Sequence, residues 1–535
     1  MLLRDKVMYE LKEWLFSAMS TINRRLFVGK RGGEEMHKKC NSNEFIVDEV
    51  TIEDIHSAME QGILTCRSLV EMYLKRIETF DKHGPALNTV ISLNPRALEI
   101  ADELDSIFKK QGFSGPLHGI PLLLKDNVDT ADMDTTGGSV CLKGIRPEED
   151  AFVTKKLKKA GALILAKVNL HELAVWGESA SSMLGQTLNP YDLKRTPGGS
   201  SGGTGAGVAA NFGTAGIGTD SINSIRSPSS ACNLVGIRPT AGLVSRGGLI
   251  PYSFTQDTAG PIARTVTDAV VVLDAIIGYD PADAATAWSV GQVPETYTKY
   301  LKQQGLQGKR IGVLRSFFGI GPEHQTVNAV IGRCIDVMNE NGGEIIEVSD
   351  PIDANCLLSE VSVHQYEFKD HLNSYLSKLG ASAQVHSLSD VIASGLYHPG
   401  IEANIKKAET LGTDLPEYRE RLLKRAELQT RIMKLMADYK LDGIVYPHQK
   451  RLVVPVGQTQ VERNGVLGAI TGFPSIVVPG GFSTPTDSAP IGVPIGLEIL
   501  GRPWSEPVLI QIAYAFEQAA KLRRPPISTP PLTCV

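Results

Sequence analysis

The stretch DAFVTKKLKKAGALILAKVN, from Asp150 to Asn169, constrains the fold most. Apolar residues at helical spacing give way to a tight turn at Gly161 and then to an apolar run. An amphipathic helix feeding a buried strand is the pattern of a crossover onto a largely parallel sheet. The theme recurs twice. KRIGVLRS, a helix from about Glu323 to Asn341 and GEIIEVSD form one unit, and a charged helix near Leu415 to Tyr439 leads into LDGIVYP. Upstream, helices are predicted over TIEDIHSAMEQG, with Thr51 and Asp54 set as a capping box, then over CRSLVEMYLKRIETF and PRALEIADELDSIFKKQG. They precede a short strand in HGIPLLLKDNVDT, with Lys125 at its exit. PSIVVPGGF, VPIGLEILGRP and a helix over EPVLIQIAYAFEQAAK complete an α/β chain.

No turn-rich linker divides the chain after residue 44. Residues 44–535 therefore read as a single large domain, with a more variable helical region at about 280–440. Residues 1–43 read as an appended amphipathic helix, apolar at Leu3, Val7, Leu11, Trp14 and Leu15, followed by a linker. Asp5, Glu10 and Glu13 dilute its basic residues, which favours docking on the domain or on a second subunit over a membrane surface and leaves room for a homodimer. The formal net charge of -5, without long like-charge blocks, argues against a nucleic-acid partner and favours a small neutral substrate. The seven cysteines are scattered and form no CxxC pair, and the eleven histidines form no HExxH or HxxxH pair. This pattern predicts reduced thiols, a cytoplasmic location and no metal site or cofactor. No apolar run reaches membrane-spanning length, and no signal peptide is recognisable.

PGGSSGGTGAGVAANFGTAGIGTDSINSIRSP, from Pro197 to Pro228, puts hydroxyls on a bare backbone. A phosphate-cradling loop needs lysine where Thr204 stands. A nucleophile elbow around Ser200 or Ser201 must follow a strand, yet the charged, proline-bearing NPYDLKRTP precedes it. The third chemistry is a serine nucleophile activated by a lysine and a bridging serine, which requires burial to keep the lysine neutral. Lys125, leaving an apolar strand, is the candidate base.

PGGSSGG followed by GTDSINSIRSPSSACNLVGIRPT closely resembles the amidase signature family. LHGIPLLLKDNVDT, AGALILAKVNLHELA, GLVSRGGLIPYSFTQDTAGPIARTVTDA, TGFPSIVVPGGF and VPIGLEILGRPWSE resemble further family segments, in the family's order, over about residues 50 to 525. The resemblance implies a large mixed, mostly parallel β-sheet covered on both faces by helices. It assigns Lys125 as base, Ser200 as bridging serine after a cis peptide, and Ser224 as nucleophile. The backbone N–H groups of Ser221, Ile222, Asn223 and Ser224 are the implied oxyanion hole, with Ser201, Asp220 and Arg226 in support. The implied activity is cleavage of a carboxamide, with carbamates and esters as further candidates, and the region with His364 and His386 resembles the peptide-amidase-like branch. The alternative is the glutaminase subunit of a transfer-RNA amidotransferase.

Ile222 and Asn223 depart from the family, which has glycines there. An isoleucine disfavours positive φ and adds bulk beside the reacting carbon, so a reshaped acyl pocket is expected, with the Asn223 amide as an added donor. His171 is expected to be structural, and His364 and His386 to have a structural or solvent role rather than a catalytic one.

Overall fold

Small residues build the centre of this fold. In the computed structural model, which describes residues 45–380 and 383–532, the helix Gly202–Ala209 lies directly on the strand Ala215–Asp220. A Cβ on Gly216 would come within 2.5 Å of Thr204 Cγ2, and one on Gly203 would overlap the backbone carbonyl of Asn169. The bare backbone of the Ser-Gly stretch therefore serves close helix–sheet packing.

The strands in chain order are β1 (Val90–Leu93), β2 (Pro121–Lys125), β3 (Leu163–Val168), β4 (Ala180–Ser181), β5 (Gly185–Gln186), β6 (Ala215–Asp220) and β7 (Val235–Arg238). They continue as β8 (Thr258–Ala263), β9 (Arg310–Leu314), β10 (Glu344–Val348), β11 (Gly443–Pro447), β12 (Ser475–Phe482) and β13 (Pro494–Leu500). Strands β4 and β5 form a small hairpin. The other eleven form one mixed sheet in the order β1-β3-β2-β6-β8-β7-β12-β13-β11-β9-β10. Parallel pairing falls in two blocks, β3-β2-β6 and β11-β9-β10, and antiparallel pairs join the blocks and add β1 at the edge. The crossovers legible in the sequence are those of the two blocks. The helix Phe152–Lys159 turns at Gly161, whose φ of +90° suits glycine, and enters β3.

Helices cover both faces. Along β12, Ser475 meets the helix Arg226–Ala231, whereas Val478 borders the helix Glu506–Ala520. These positions differ by an odd number and so project from opposite faces. The Thr51 capping box, the helices Ile52–Glu60, Cys66–Ile77, Ala97–Gln111, Gln325–Glu340 and Pro416–Asp438, and Gly112 past the end of the third form where the sequence predicts them. Strands β6 to β8 carry weaker signals, because β6 has Ile217 as its single large apolar residue among Ala, Gly, Thr and Asp.

The described residues from Phe45 onward cluster as one compact unit. The helix expected within residues 1–43 lies outside the described residues. Among the described residues no helix is long and apolar enough to cross a membrane. Cys66, Cys141, Cys232, Cys334 and Cys356 are unpaired.

Candidate active site

Because β2 and β6 are adjacent and parallel, their C-terminal ends emerge at the same edge. Lys125 ends β2 and Asp220 ends β6, and Asp257 precedes antiparallel β8 at that edge. Ser200 and Ser201 reach the same edge from the loop that enters the helix Gly202–Ala209. The sequence-distant candidates thus converge through strand direction.

Lys125 is fully buried. Its Nζ donates to Ser200 Oγ at 2.6 Å and to Thr219 Oγ1 at 2.8 Å, and it lies 3.3 Å from the Thr219 carbonyl. Among the described residues no carboxylate comes within ion-pair range of it. Burial pushes its pKa down to about 7, a fall that the more distant Asp220 and Asp257 only partly offset. The Gly199–Ser200 peptide is cis. The Ser200 carbonyl accepts from the His171 backbone N–H at 2.9 Å and from Ser179 Oγ at 3.3 Å, which holds the turn in place.

Ser224 borders a cavity together with Ser221, Ile222 and Asn223. Its hydroxyl makes no hydrogen bond among the described residues, so Lys125 and Ser200 are joined while Ser200 and Ser224 are not. The four successive N–H groups from Ser221 to Ser224 donate to no acceptor among the described residues. Their carbonyls, by contrast, are held. Ser221 O accepts from Gln256 Nε2 at 3.0 Å, Ile222 O from Arg226 Nη2 at 2.8 Å, Asn223 O from the Ser227 N–H at 2.6 Å and Ser224 O from the Ser201 N–H at 3.2 Å. A row of unspent donors beside a cavity is the arrangement that receives a developing oxyanion.

The supporting residues form a buried charge network. Asp220 accepts from Arg226 Nε and Nη2 at 3.0 Å, from Arg238 Nη1 at 2.9 Å and from the Ile225 N–H at 3.0 Å. Burial alone would raise its carboxyl, but the two guanidinium groups hold it well below the usual carboxylate range. Arg226 also donates to Glu498 Oε1 at 2.6 Å, and Glu498 accepts from His448 Nδ1 at 2.7 Å. Ser201 Oγ donates to the Thr219 carbonyl at 3.2 Å. Ser221 Oγ donates to Asp257.

Neither Ile222 nor Asn223 has positive φ. The turn therefore does not require glycine, and the departure from the family carries no backbone strain. Ile222 is half-buried on the cavity wall against the cluster that includes Leu467 and Val466. Asn223 Oδ1 is buried without a partner among the described residues and faces Gly465, where a Cβ would fall 2.6 Å from it. The histidines separate. His364 lines the cavity, bonded to Ser362 Oγ at 2.6 Å and held neutral by burial with a pKa near 3. His171 is likewise buried and pushed down to about 3, and His386 is exposed. Sequence reasoning missed Thr219, Gln256, Glu498 and His448. Thr219, Gln256 and Glu498 lie in segments that resemble the family, whereas His448 follows the strand LDGIVYP and lies in none of them.

A family model described as Amidase matches residues 68–510. The chain belongs to the amidase family. As an amidase it acts on amides, and its relatives share nearly its whole length. A probable amidase of Arabidopsis thaliana is 39% identical over 510 residues, covering 91% of this chain and 93% of the relative. One of the subunits of the glutamyl-tRNA(Gln) amidotransferase of Thermoanaerobacter pseudethanolicus is 33% identical over 494 residues, covering 89% and 98%. The solved structure of a peptide amidase from Stenotrophomonas maltophilia superposes with a TM-score of 0.81 at 38% identity, covering 90% of this amidase and 98% of that chain.

Proposed function

We propose that this amidase cleaves a small or medium carboxamide through an acyl-enzyme on Ser224, with Ser200 as proton relay and neutral Lys125 as base. Carbamates and esters are further substrates to be tested. The observation that carries the reading is the 2.6 Å contact between Lys125 Nζ and Ser200 Oγ at a lysine held near neutrality. As Ser224 Oγ bonds to the substrate carbonyl carbon, its proton passes to Ser200 and the Ser200 proton passes to Lys125. The carbonyl electron pair moves to oxygen, where the N–H groups of Ser221 to Ser224 receive it. Collapse breaks the C–N bond, and the relay returns a proton to the leaving nitrogen. Water then attacks the acyl-enzyme, releases the acid and restores Ser224. The Ser200–Ser224 link is expected to close with substrate bound, because catalytic hydrogen bonds are often long in apo sites.

The test is ammonia or amine release from acetamide, benzamide, a C-terminal peptide amide and ethyl carbamate, with Ser224→Ala alongside. Turnover of at least one member, lost in the variant, is the expected result. Turnover that survives Ser224→Ala overturns the assignment. The amidotransferase relatives support a second reading as a glutaminase subunit. Copurification with two further chains, and glutamine-dependent ammonia release only in their presence, would favour it.

We also take residues 44–535 as one catalytic domain, so a chain lacking 1–43 is expected to keep its turnover. The unpaired cysteines support a reducing, cytoplasmic location, with a homodimer as the assembly to be tested by sedimentation.

A further inference from the structure

Arg463 stands two residues before Gly465 and lines the same cavity as Ser224. Its guanidinium lies 5.9 Å from the centre of the Trp176 ring and directly over Gly177, where a Cβ would overlap Nη1. Among the described residues its one hydrogen bond is a long one, 3.5 Å from Nη1 to the Gly177 carbonyl. Among the described residues no carboxylate lies within 4.0 Å of it. The other arginines of the site differ in this respect, since Arg226 and Arg238 both pair with Asp220.

Neither acid near Arg463 forms an ion pair with it. Glu462, on the same cavity wall, pairs with Arg451 and with His324 Nε2 at 3.3 Å. Glu178 accepts from Trp176 Nε1 at 2.9 Å and from the Gln460 N–H at 2.8 Å. Burial draws the Arg463 pKa down, with Glu178 and Asp220 only partly offsetting it. A guanidinium carries five N–H donors in a planar fork that matches a carboxylate, and most of those of Arg463 are unspent. A cation left unpaired in a partly desolvated wall is costly unless a ligand supplies the counter-charge.

We propose that Arg463 anchors a carboxylate of the substrate, and that the preferred substrate is a monoamide of a dicarboxylic acid, an amide whose acyl chain ends in a carboxylate. The inference rests on the amidase reading of Ser224. Placing the carboxylate on the acyl side has a mechanistic reason. The acyl group stays on Ser224 through both half-reactions, so an anchor there orients the amide for attack and then the ester for water. The Trp176 ring, 5.9 Å from the guanidinium, borders it on the wall and limits the side-chain freedom that binding would otherwise cost.

The test compares ammonia release from glutaramate and from pentanamide, its neutral counterpart of equal chain length, in the full-length chain and in Arg463→Lys and Arg463→Met. The unmodified enzyme is expected to prefer glutaramate in kcat/KM by about tenfold or more. That preference should fall about tenfold in Arg463→Met, mostly through KM, and less in Arg463→Lys. An arginine that merely supports the wall would lower both rates in proportion and leave the preference intact, which overturns the inference. So does an unmodified enzyme indifferent to the carboxylate. Calorimetry with glutarate on Ser224→Ala supplies a readout independent of turnover and of the folding of the Arg463 variants. Binding is expected, weakened by at least about tenfold when Arg463→Met is added. Glutarate binding that depends on Arg463 without turnover of any amide would sink the amidase reading of Ser224 and leave the anion site standing. Absence of glutarate binding sinks the anion site.

Discussion

Lys125 Nζ lies 2.6 Å from Ser200 Oγ and has three oxygen neighbours, none of them a carboxylate. A buried lysine with an ion-pair partner stays charged, whereas one facing only neutral oxygens loses its proton near pH 7. If the neutral amine is the base, kcat/KM should rise with pH through about 7 with a one-proton slope and then level. Lys125→Met should cost on the order of 100- to 10,000-fold and abolish that limb. A pH–rate profile over pH 5 to 10 checks both, and a limb that survives in the variant would assign it to another group.

Ser224 and Ser200 should fail in different ways. A fluorophosphonate probe needs the nucleophile itself, so intact-mass spectra of Ser224→Ala should lack the adduct altogether. Under the proposed roles, Ser200→Ala removes the relay and leaves the nucleophile, so labelling should slow by about 100-fold or more yet go to completion. Equal labelling of the unmodified chain and Ser224→Ala would move the nucleophile elsewhere.

The catalytic candidates were legible because their motifs are local. GGSSGG and GTDSINSIR lie within one short stretch, and Lys125 closes an apolar run. What supports them was not legible. Glu498, 272 residues from Arg226, reaches it only because β7, β12 and β13 are neighbours in the sheet. Thr219 read as part of a signature, and its role beside Lys125 depends on the parallel register of β2 with β6. The glycines stand out in the sequence only as a bare backbone around the serines, whereas Gly203 and Gly216 leave room for a helix on a strand, a demand that exists only once the two pack. Arg463 lies in a segment without a motif, and its lack of a carboxylate partner is a property of the folded cavity wall.

Arg226 joins two buried carboxylates, Asp220 and Glu498, and donates to the Ile222 carbonyl of the turn before Ser224. Arg226→Met leaves Arg238 on Asp220 and His448 on Glu498 but removes the bridge between them. Breaking a buried pair from one side typically costs about 3 to 5 kcal/mol. The unfolding midpoint should drop clearly at neutral pH, and a variant as stable as the parent would mean that the network relaxes onto water.

Glu498 also sets an acid limit. Burial opposes its charge, but Arg226 and His448 outweigh burial and pull its pKa down to about 2 from an ordinary 4.5. A carboxylate with a depressed folded pKa contributes its full stabilisation above the unfolded value and loses it as pH falls through the folded one. The unfolding midpoint should therefore decline below about pH 4.5 and continue declining toward pH 2. Glu498→Gln, less stable at neutral pH, should have a shallower decline over that window, and parallel curves for the two proteins would assign the acid sensitivity to other carboxylates.

Ile222 projects into the cavity beside Ser224 from a turn whose backbone would admit any residue. Its bulk, rather than a change of backbone, is then what distinguishes this pocket from one with glycine at the same place. Removing the side chain should open space next to the reacting carbon. Ile222→Gly should raise the kcat/KM of benzamide relative to acetamide by about tenfold, the scale of a few methylenes in an apolar pocket. The backbone N–H of residue 222 survives this substitution, so kcat for the smaller amide should fall far less than in Ser224→Ala. Kinetics on the two amides decide the matter: an unchanged ratio would mean that the acyl group lies away from this wall, and Ile222 would then serve the neighbouring Leu467 cluster alone.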